Sequence, residues 1–422
     1  MSSLGLDLEP LRAIPAFRRL YVASFVTSFG SQATYVTVAY QMSRLTHSYL
    51  AVGAIGLAEV IPMVIFGLYG GVLADAINRK RLIVGSELAL TLCSGLLLLN
   101  TLRSQPSVLA LYLIIVAQVM ANGLQSPSTD SLRQQVVPHE LQGAATTLSM
   151  FQRTVATIAG PTLGGLLAVS VGTWSVYALD LVSFAGSLIL LVGLVVPDRL
   201  QPATKPSFTS LKGGVSYAIG RRDLLGTYLI DLAAMLLAYP IAMLPFIAAR
   251  YHQSWALGAL YAALPAGALI ASLTSRWAAS VHFYGRAIVI AAASWGLGIA
   301  LFGWASSLVI AILGLMIAGY ADAISGIFRG TMWNQSIPNS VRGRMASIEM
   351  LSYSVGPTLG QTRSGIMAAS LSLKASIVIG GLACTGACGA LAAALPTMWR
   401  FDVRSDPNVA LVREERSRDV EN

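Results

Sequence analysis

Between residues 18 and 396 the sequence returns twelve times to an apolar run of roughly 20–28 residues, broken each time by a short polar stretch. An apolar stretch of about 20 residues matches the thickness of a bilayer's hydrocarbon core when it is helical. The runs are 18–40, 50–72, 82–102, 108–127, 141–168 and 174–196, then 224–248, 256–278, 287–306, 308–328, 344–369 and 375–396. The break at Ser306–Ser307 demands a very tight turn. Apolar residues make up 55% of the chain and charged residues only 11%, against about 25% in an ordinary soluble domain. Too little charge remains to cover a soluble surface. The expected fold is therefore an all-α membrane protein with twelve transmembrane helices.

Net charge is +9, and its distribution decides what it means. Of 28 basic residues, 22 fall in alternate loops and tails, while the opposite loops hold only Arg44, Arg103, Arg250 and Lys374. Arg153 and Arg363 fall inside runs. The positive-inside rule puts the basic side, and both termini, in the cytoplasm of a bacterial-type inner membrane. The charge is then topological, and a nucleic-acid partner is not expected. Met1 to Pro10 is polar and acidic, so a cleavable leader is not expected either.

Residues 197–223 divide the runs into two groups of six. After Pro197, Pro202 and Pro206 this stretch spaces Phe208, Leu211, Val215 and Ile219 as an amphipathic helix lying at the inner surface. The expected organisation is a cytoplasmic N-terminus (1–17), a first six-helix bundle (18–196), this linker (197–223), a second bundle (224–396) and a cytoplasmic tail (397–422), polar and disordered from Arg404. The halves repeat. Gln134-Gln-Val-Val-Pro138 precedes Gly160-Pro-Thr-Leu-Gly-Gly165, and Asn334-Gln-Ser-Ile-Pro338 precedes Gly356-Pro-Thr-Leu-Gly-Gln361. Repeated six-span halves are a plan of secondary transporters.

The loop after the second run reads Gly71-Val-Leu-Ala-Asp75-Ala-Ile-Asn78-Arg79-Lys80-Arg81. It resembles the signature loop of the major facilitator superfamily. That resemblance implies two pseudo-symmetric six-helix bundles. It also implies a cytoplasmic gating set of Gly71, Asp75, Arg79, Lys80 and Arg81, to which Arg342 and Arg344 of the inner loop before the eleventh run are added. The family has a basic residue where Ala76 stands and glycine where Asn78 stands; asparagine tolerates a left-handed turn. Gly160, Pro161, Gly164 and Gly165 are similar to the antiporter signature of the superfamily's exporters, with Ala156 in place of its first glycine. Small residues four apart let helices approach closely. Pro15-Ala-Phe-Arg18, Leu260-Tyr-Ala-Ala-Leu-Pro265 and Leu273-Thr-Ser275 resemble bacterial enterobactin (siderophore) exporters.

Charges inside spans are costly and mark function by default. Asp231, Asp322, Glu59 and Arg153 are the proton-coupling candidates. The resemblance puts Asp231 and Asp322 on cavity helices, either as proton carriers or as a structural pair with Arg153 or Arg363. Glu87 and Asp180 lie nearer span ends, where pairing or snorkelling is expected. Ser28, Gln32, Tyr35, Gln118, Asn122, Tyr239, Tyr261 and Tyr353 are the substrate-cavity candidates. His47, His139, His252 and His282 fall in loops, and Cys93, Cys384 and Cys388 in apolar runs. No catalytic residue, metal, cofactor or disulfide is expected.

The reading is a monomeric exporter of a small organic molecule, by proton antiport across the bilayer, with an enterobactin-like siderophore as substrate. A broad-specificity drug pump is the alternative within the superfamily, and a non-transporting membrane receptor or enzyme is the third reading. Topology is directly testable. Of single cysteines at Lys205→Cys and Gln253→Cys, only the second should react with an impermeant thiol reagent on intact cells. Reaction at the first alone would invert the orientation.

Overall fold

A computed structural model of the chain describes residues 7–76, 78–194 and 216–421. Over 67–76, 418–421 and several positions between 339 and 352, only the backbone path is described. The described residues are helical with short connections. The first six long helices are α1 (Pro15–Thr46), α2 (Tyr49–Ala76), α3 (Arg79–Thr101), α4 (Val108–Val136), α5 (Gln142–Ser170) and α6 (Thr173–Val192). After the linker come α7 (Arg222–Ala238), α8 (Ala256–Thr274), α9 (Tyr284–Trp304), α10 (Leu308–Ser336), α11 (Asn339–Ser370), α12 (Leu373–Ala394) and a last helix, α13 (Pro407–Glu421). Among the described residues, nine helical segments are long and apolar enough to cross a membrane; α1, α5 and α11 are not among them.

Local chemistry sets the boundaries. Ser107, Ser307 and Ser372 each cap a helix, their hydroxyls accepting from the backbone N–H of Ala110, Ile310 and Ala375 at 3.3, 3.4 and 3.1 Å. The Ser307 cap is how the tight turn between α9 and α10 is made. Asn78 is not left-handed, as its replacement of glycine suggested; at φ −53° it caps α3, its Oδ1 accepting from the Arg81 N–H. His47 and His252 hold the left-handed positions instead, both at φ 51°. The seventh apolar run is not one helix. α7 stops at Ala238, and a short 3-10 turn and the helix Leu244–Ala248 follow. Pro240 has no N–H to continue the ladder, and it keeps Tyr239 out of the helical region (ψ 88°).

The tail also departs from expectation. Residues 407–421 are helical rather than disordered. Asp406 Oδ1 accepts from the Asn408 and Val409 N–H groups at 2.9 and 3.2 Å, and Val409 and Val412 are buried on one face. The predicted linker helix lies, through Val215, outside the described residues.

The chain divides into two compact units. The first comprises residues 1–51, 57–206 and 252–262, and the second 52–56, 207–251 and 263–422. In the first unit α1 packs on α5 and α6, and α3 on α4 and α6. Its core includes Leu20, Ala23, Ile83, Leu132 and Leu191, with Phe17, Ala145 and Leu148 beside them. The antiporter-like glycines sit where α5 crosses α1. A methyl group on Gly160 would lie 2.6 Å from Gln32 Cβ, and one on Gly164 2.6 Å from Ala33 Cα. In lipid, where burial of apolar surface gives little driving force between helices, such backbone approach is what packing gains from small residues.

The second unit is built around α9, which packs on both α10 and α12. Gly296 of α9 meets Gly381 of α12 so closely that a methyl on Gly296 would be 2.6 Å from the Gly381 carbonyl oxygen. Cys384 and Cys388 are buried on the same helix, and all three cysteines are free.

The α1–α5 crossing gives a measurable consequence. Gly164→Ala should lose about 1–3 kcal/mol, the usual cost of overpacking against backbone. Gly186→Ala, whose methyl would meet nothing within 4 Å, should stay within about 0.5 kcal/mol. Thermal unfolding in detergent compares them; equal melting would mean that the crossing tolerates a wider spacing.

Candidate functional site

The buried charge of the second unit collects in one place. On α10, Asp322 and Arg329 are seven residues apart, about two turns, and so share a face. Asp231 comes from α7. The guanidinium of Arg329 contacts Asp231 directly through Nη1, and both side chains are almost completely buried, at 3% and 2% exposure. Nη2 of the same guanidinium lies 3.8 Å from Asp322 Oδ1, and that carboxyl is 37% exposed. One base therefore stands between two acids held at different strengths.

Aromatic residues fix the arginine. Tyr353 of α11 presents its ring to the guanidinium, with Cζ 5.6 Å from the centroid. Trp333, one turn along α10, stacks on Tyr228 of α7 at 5.0 Å and 19°. Its indole N–H donates to Thr227 Oγ1 at 2.9 Å. The tryptophan thus ties α10 to α7 beside the ion pair, while Tyr353 brings α11 into the same cluster.

This geometry corrects the expected pairing. Neither Arg153 nor Arg363 is the partner of the two acids. Arg153 is exposed on α5 and has no ion pair among the described residues. Arg363 donates to neutral groups, the Ser376 carbonyl at 3.3 Å and Ser364 Oγ at 2.8 Å. Hydropathy falls at Arg329, just past the tenth apolar run, but α10 continues through it to Ser336 and buries it. The seven-residue spacing to Asp322 was the available signal. Glu59 is half-buried on α2, without an ion pair among the described residues.

The substrate-cavity candidates separate. In the first unit, Gln32 donates to Thr157 Oγ1 at 3.3 Å, and Gln152 donates to Ser28 Oγ at 3.4 Å, so side-chain hydrogen bonds join α1 to α5. Tyr35 is half-buried on α1, and Tyr261 is buried. Gln118 is half-buried and Asn122 exposed on α4. In the second unit, Tyr239 stacks on Trp295 at 6.4 Å, and Tyr353 belongs to the arginine cluster.

Within the gating set, the surroundings of Gly71 and the side chains of Asp75 and Arg344 lie outside the described residues. Of the others, Lys80 and Arg342 sit against helix ends, and Arg81 is exposed. Lys80 Nζ donates to the Val192 carbonyl at 3.0 Å, at the C-terminus of α6. Arg342 donates to the Asn334 carbonyl at 2.7 Å, in the last turn of α10. Arg79 reaches Gln135 Oε1 at 3.5 Å. Cations at helix C-termini satisfy carbonyls left without intrahelical donors and complement the helix dipole. Among the described residues no group of three or more His, Cys, Asp or Glu side chains could hold a metal ion.

The arginine cluster predicts a non-additive stability pattern. Asp231→Asn or Arg329→Met alone should cost about 3–5 kcal/mol, because each leaves a buried charge uncompensated. The double variant should recover most of that loss. Asp322→Asn, at a half-exposed and longer contact, should cost about 1 kcal/mol or less. Melting of the four purified variants tests the pattern, and additive losses would mean that the pair is not the unit.

Residues 6–417 match the family described as transmembrane secretion effector, MFS_3. The chain is 29% identical over 377 residues to the enterobactin exporter EntS of Shigella flexneri, covering 89% of this chain and 90% of that protein. The enterobactin exporter EntS of Shigella boydii serotype 18 is 30% identical over 383 residues, covering 89% and 91%. In fold the chain is similar to the nucleoside transporter NupG, with a TM-score of 0.70 at 16% identity over 92% of this chain and 100% of that one. It is similar also to the peptide transporter POT in complex with sulfate, with a TM-score of 0.69 at 15% identity over 94% and 100%. The chain is a multi-pass membrane transporter rather than an enzyme, and it belongs to the transmembrane secretion effector family of the major facilitator superfamily.

Proposed function

We propose that the protein is a secondary exporter of a small organic molecule, working by alternating access with proton antiport. The observation that carries this reading is the Asp231–Arg329–Asp322 cluster. Two carboxylates and one guanidinium leave a formal charge of −1 when all are ionised, and a single proton brings it to zero. Asp231 is committed to Arg329 by direct contact. Asp322 is looser and half-exposed, so it is the member able to exchange a proton with water. Protonating Asp322 leaves Arg329 wholly to Asp231; ionising it makes the arginine shared between α7 and α10. A group with two such arrangements, on two packed helices, can bias a conformational equilibrium.

Twelve spans in two pseudo-symmetric bundles, with both termini in the cytoplasm, belong to the same reading. So do the inner-face basic residues as gate contacts and Gly160, Pro161, Gly164 and Gly165 as the exporter signature. An enterobactin-like siderophore is the proposed substrate, because the chain aligns with proteins named enterobactin exporters over nearly the whole length of both.

The experiment is transport into proteoliposomes under an imposed pH gradient, with enterobactin and a lipophilic cationic dye offered in parallel. The expected result is accumulation of enterobactin that a protonophore abolishes. Movement of the dye without enterobactin would replace the substrate by drugs. Flux indifferent to the protonophore would remove the antiport, and no flux of either compound would contradict export of both substrate classes.

A further inference from the structure

The first unit contains a second pair of buried acids, and it is of a different kind. Glu87 on α3 and Asp180 on α6 are 1% and 0% exposed. Neither snorkels to a surface. Each is followed seven residues later by a serine on the same helix face, Ser94 and Ser187, themselves 0% and 2% exposed. Ser94 Oγ donates to Asp180 Oδ2 at 2.6 Å, and Ser187 stands beside Glu87. The two contacts together make α3 and α6 antiparallel, with each acid at the level of the other helix's hydroxyl. Gln125 of α4 donates to Glu87 Oε2, and Thr34 of α1 stands beside Asp180.

Half of this network is unsatisfied. Asp180 Oδ1, Glu87 Oε1, Ser187 Oγ and Thr34 Oγ1 are all buried without a hydrogen-bond partner. Among the described residues no Arg, Lys or His contacts either acid. Of the elements packed around them, α4 carries Asp130 and Arg133, which pair with each other at 3.3 Å. The basic residue of α5, Arg153, is exposed. Arg19 of α1 donates to the Gly193 carbonyl at the end of α6. The remaining titratable neighbours are Cys93 on α3 and Tyr177 on α6, whose hydroxyl donates to Gln41 Oε1 at 2.7 Å. The pair itself sits beside the apolar cluster of Leu90, Ala121 and Phe184.

Two carboxylates in such a place, both ionised and with no cation, would carry a desolvation cost of several kcal/mol each. A carboxylic acid has no such cost, and it supplies the missing donor. The O–H of Glu87 can be given to Ser187 Oγ and that of Asp180 to Thr34 Oγ1, both of which lack a partner. Space favours the smallest cation. α1 presses on the site through Gly30, where a methyl group would lie 2.6 Å from Asp180 Oδ1 and 2.7 Å from Ser183 Oγ. A proton fits without moving α1, whereas a metal ion would have to displace it.

We propose that Glu87 and Asp180 are proton-binding groups of the first unit, distinct from the arginine cluster and protonated in this conformation. Losing the proton would leave uncompensated charge at the α1–α3–α6 junction, so occupancy holds those helices together. This does not depend on the identity of the substrate or on transport by Asp322.

The test is infrared spectroscopy of the purified protein at mildly alkaline pH, in light and heavy water, with wild type, Asp180→Asn, Glu87→Gln and Asp231→Asn. The wild type should show the carbonyl stretch of a neutral carboxyl, shifted in heavy water. That band should be lost or displaced in Asp180→Asn and Glu87→Gln, and unchanged in Asp231→Asn. Absence of the band from the wild type overturns the proposal whether or not the variants fold. A band indifferent to both first-unit substitutions does the same. A rise in wild-type melting temperature with sodium over choline at equal ionic strength, lost in Asp180→Asn, would reassign the site to a metal cation.

Discussion

Burying charge in an apolar chain is the constraint on which this structure turns. The chain has only 19 acidic residues, yet four of them, Glu87, Asp180, Asp231 and Asp322, lie at two helix junctions. The clusters solve the same electrostatic problem differently. In the second unit Arg329 supplies the compensating charge, and Tyr228, Thr227, Trp333 and Tyr353 hold it in position. In the first unit hydroxyls and one amide surround the acids. An ion pair is expensive to break on either side, which makes it a firm tie between α7 and α10. A carboxyl within reach of that pair but not committed to it is the natural place for a proton to come and go.

Packing follows from the same poverty of driving force. Lipid tails are as apolar as leucine, so helices here gain by close approach more than by burial. Gly160 and Gly164 bring α5 onto Gln32 and Ala33 of α1; Gly296 and Gly381 bring α9 onto α12. Gly30 does more than pack, since its missing side chain is what lets α1 close over Asp180 and Ser183. The small-residue signature of α5 and the buried acid of α6 thus act on the same helix, α1.

The class of fold was legible in the recurrence of apolar runs, because a bilayer leaves so few alternatives to the helix. The details lost were those in which a single residue overrides hydropathy. Pro240 interrupts a run that is apolar throughout, and its effect lies in backbone geometry. The tail looked too polar to order, yet two valines three residues apart and an aspartate cap are enough to give it a docked face. By hydropathy Arg329 falls in a loop, because the run tolerates the single charge of Asp322 but polar residues accumulate from Arg329 to Ser336. Asp231 and Asp322 were legible as intramembrane acids, but their common partner was not, since it lies across two helices. The expectation that Glu87 and Asp180 snorkel fails for a related reason: position along a helix does not reveal which neighbours face it.

The central claim is that Asp322 exchanges the coupling proton while Arg329 holds Asp231. Uphill export and equal-concentration counterflow, measured on the same proteoliposomes of Asp322→Asn, test it most directly. Counterflow needs the conformational cycle without net proton movement. The account predicts that counterflow continues near the wild-type rate while uphill export is lost, with melting little changed. Uphill export at the wild-type rate would contradict it.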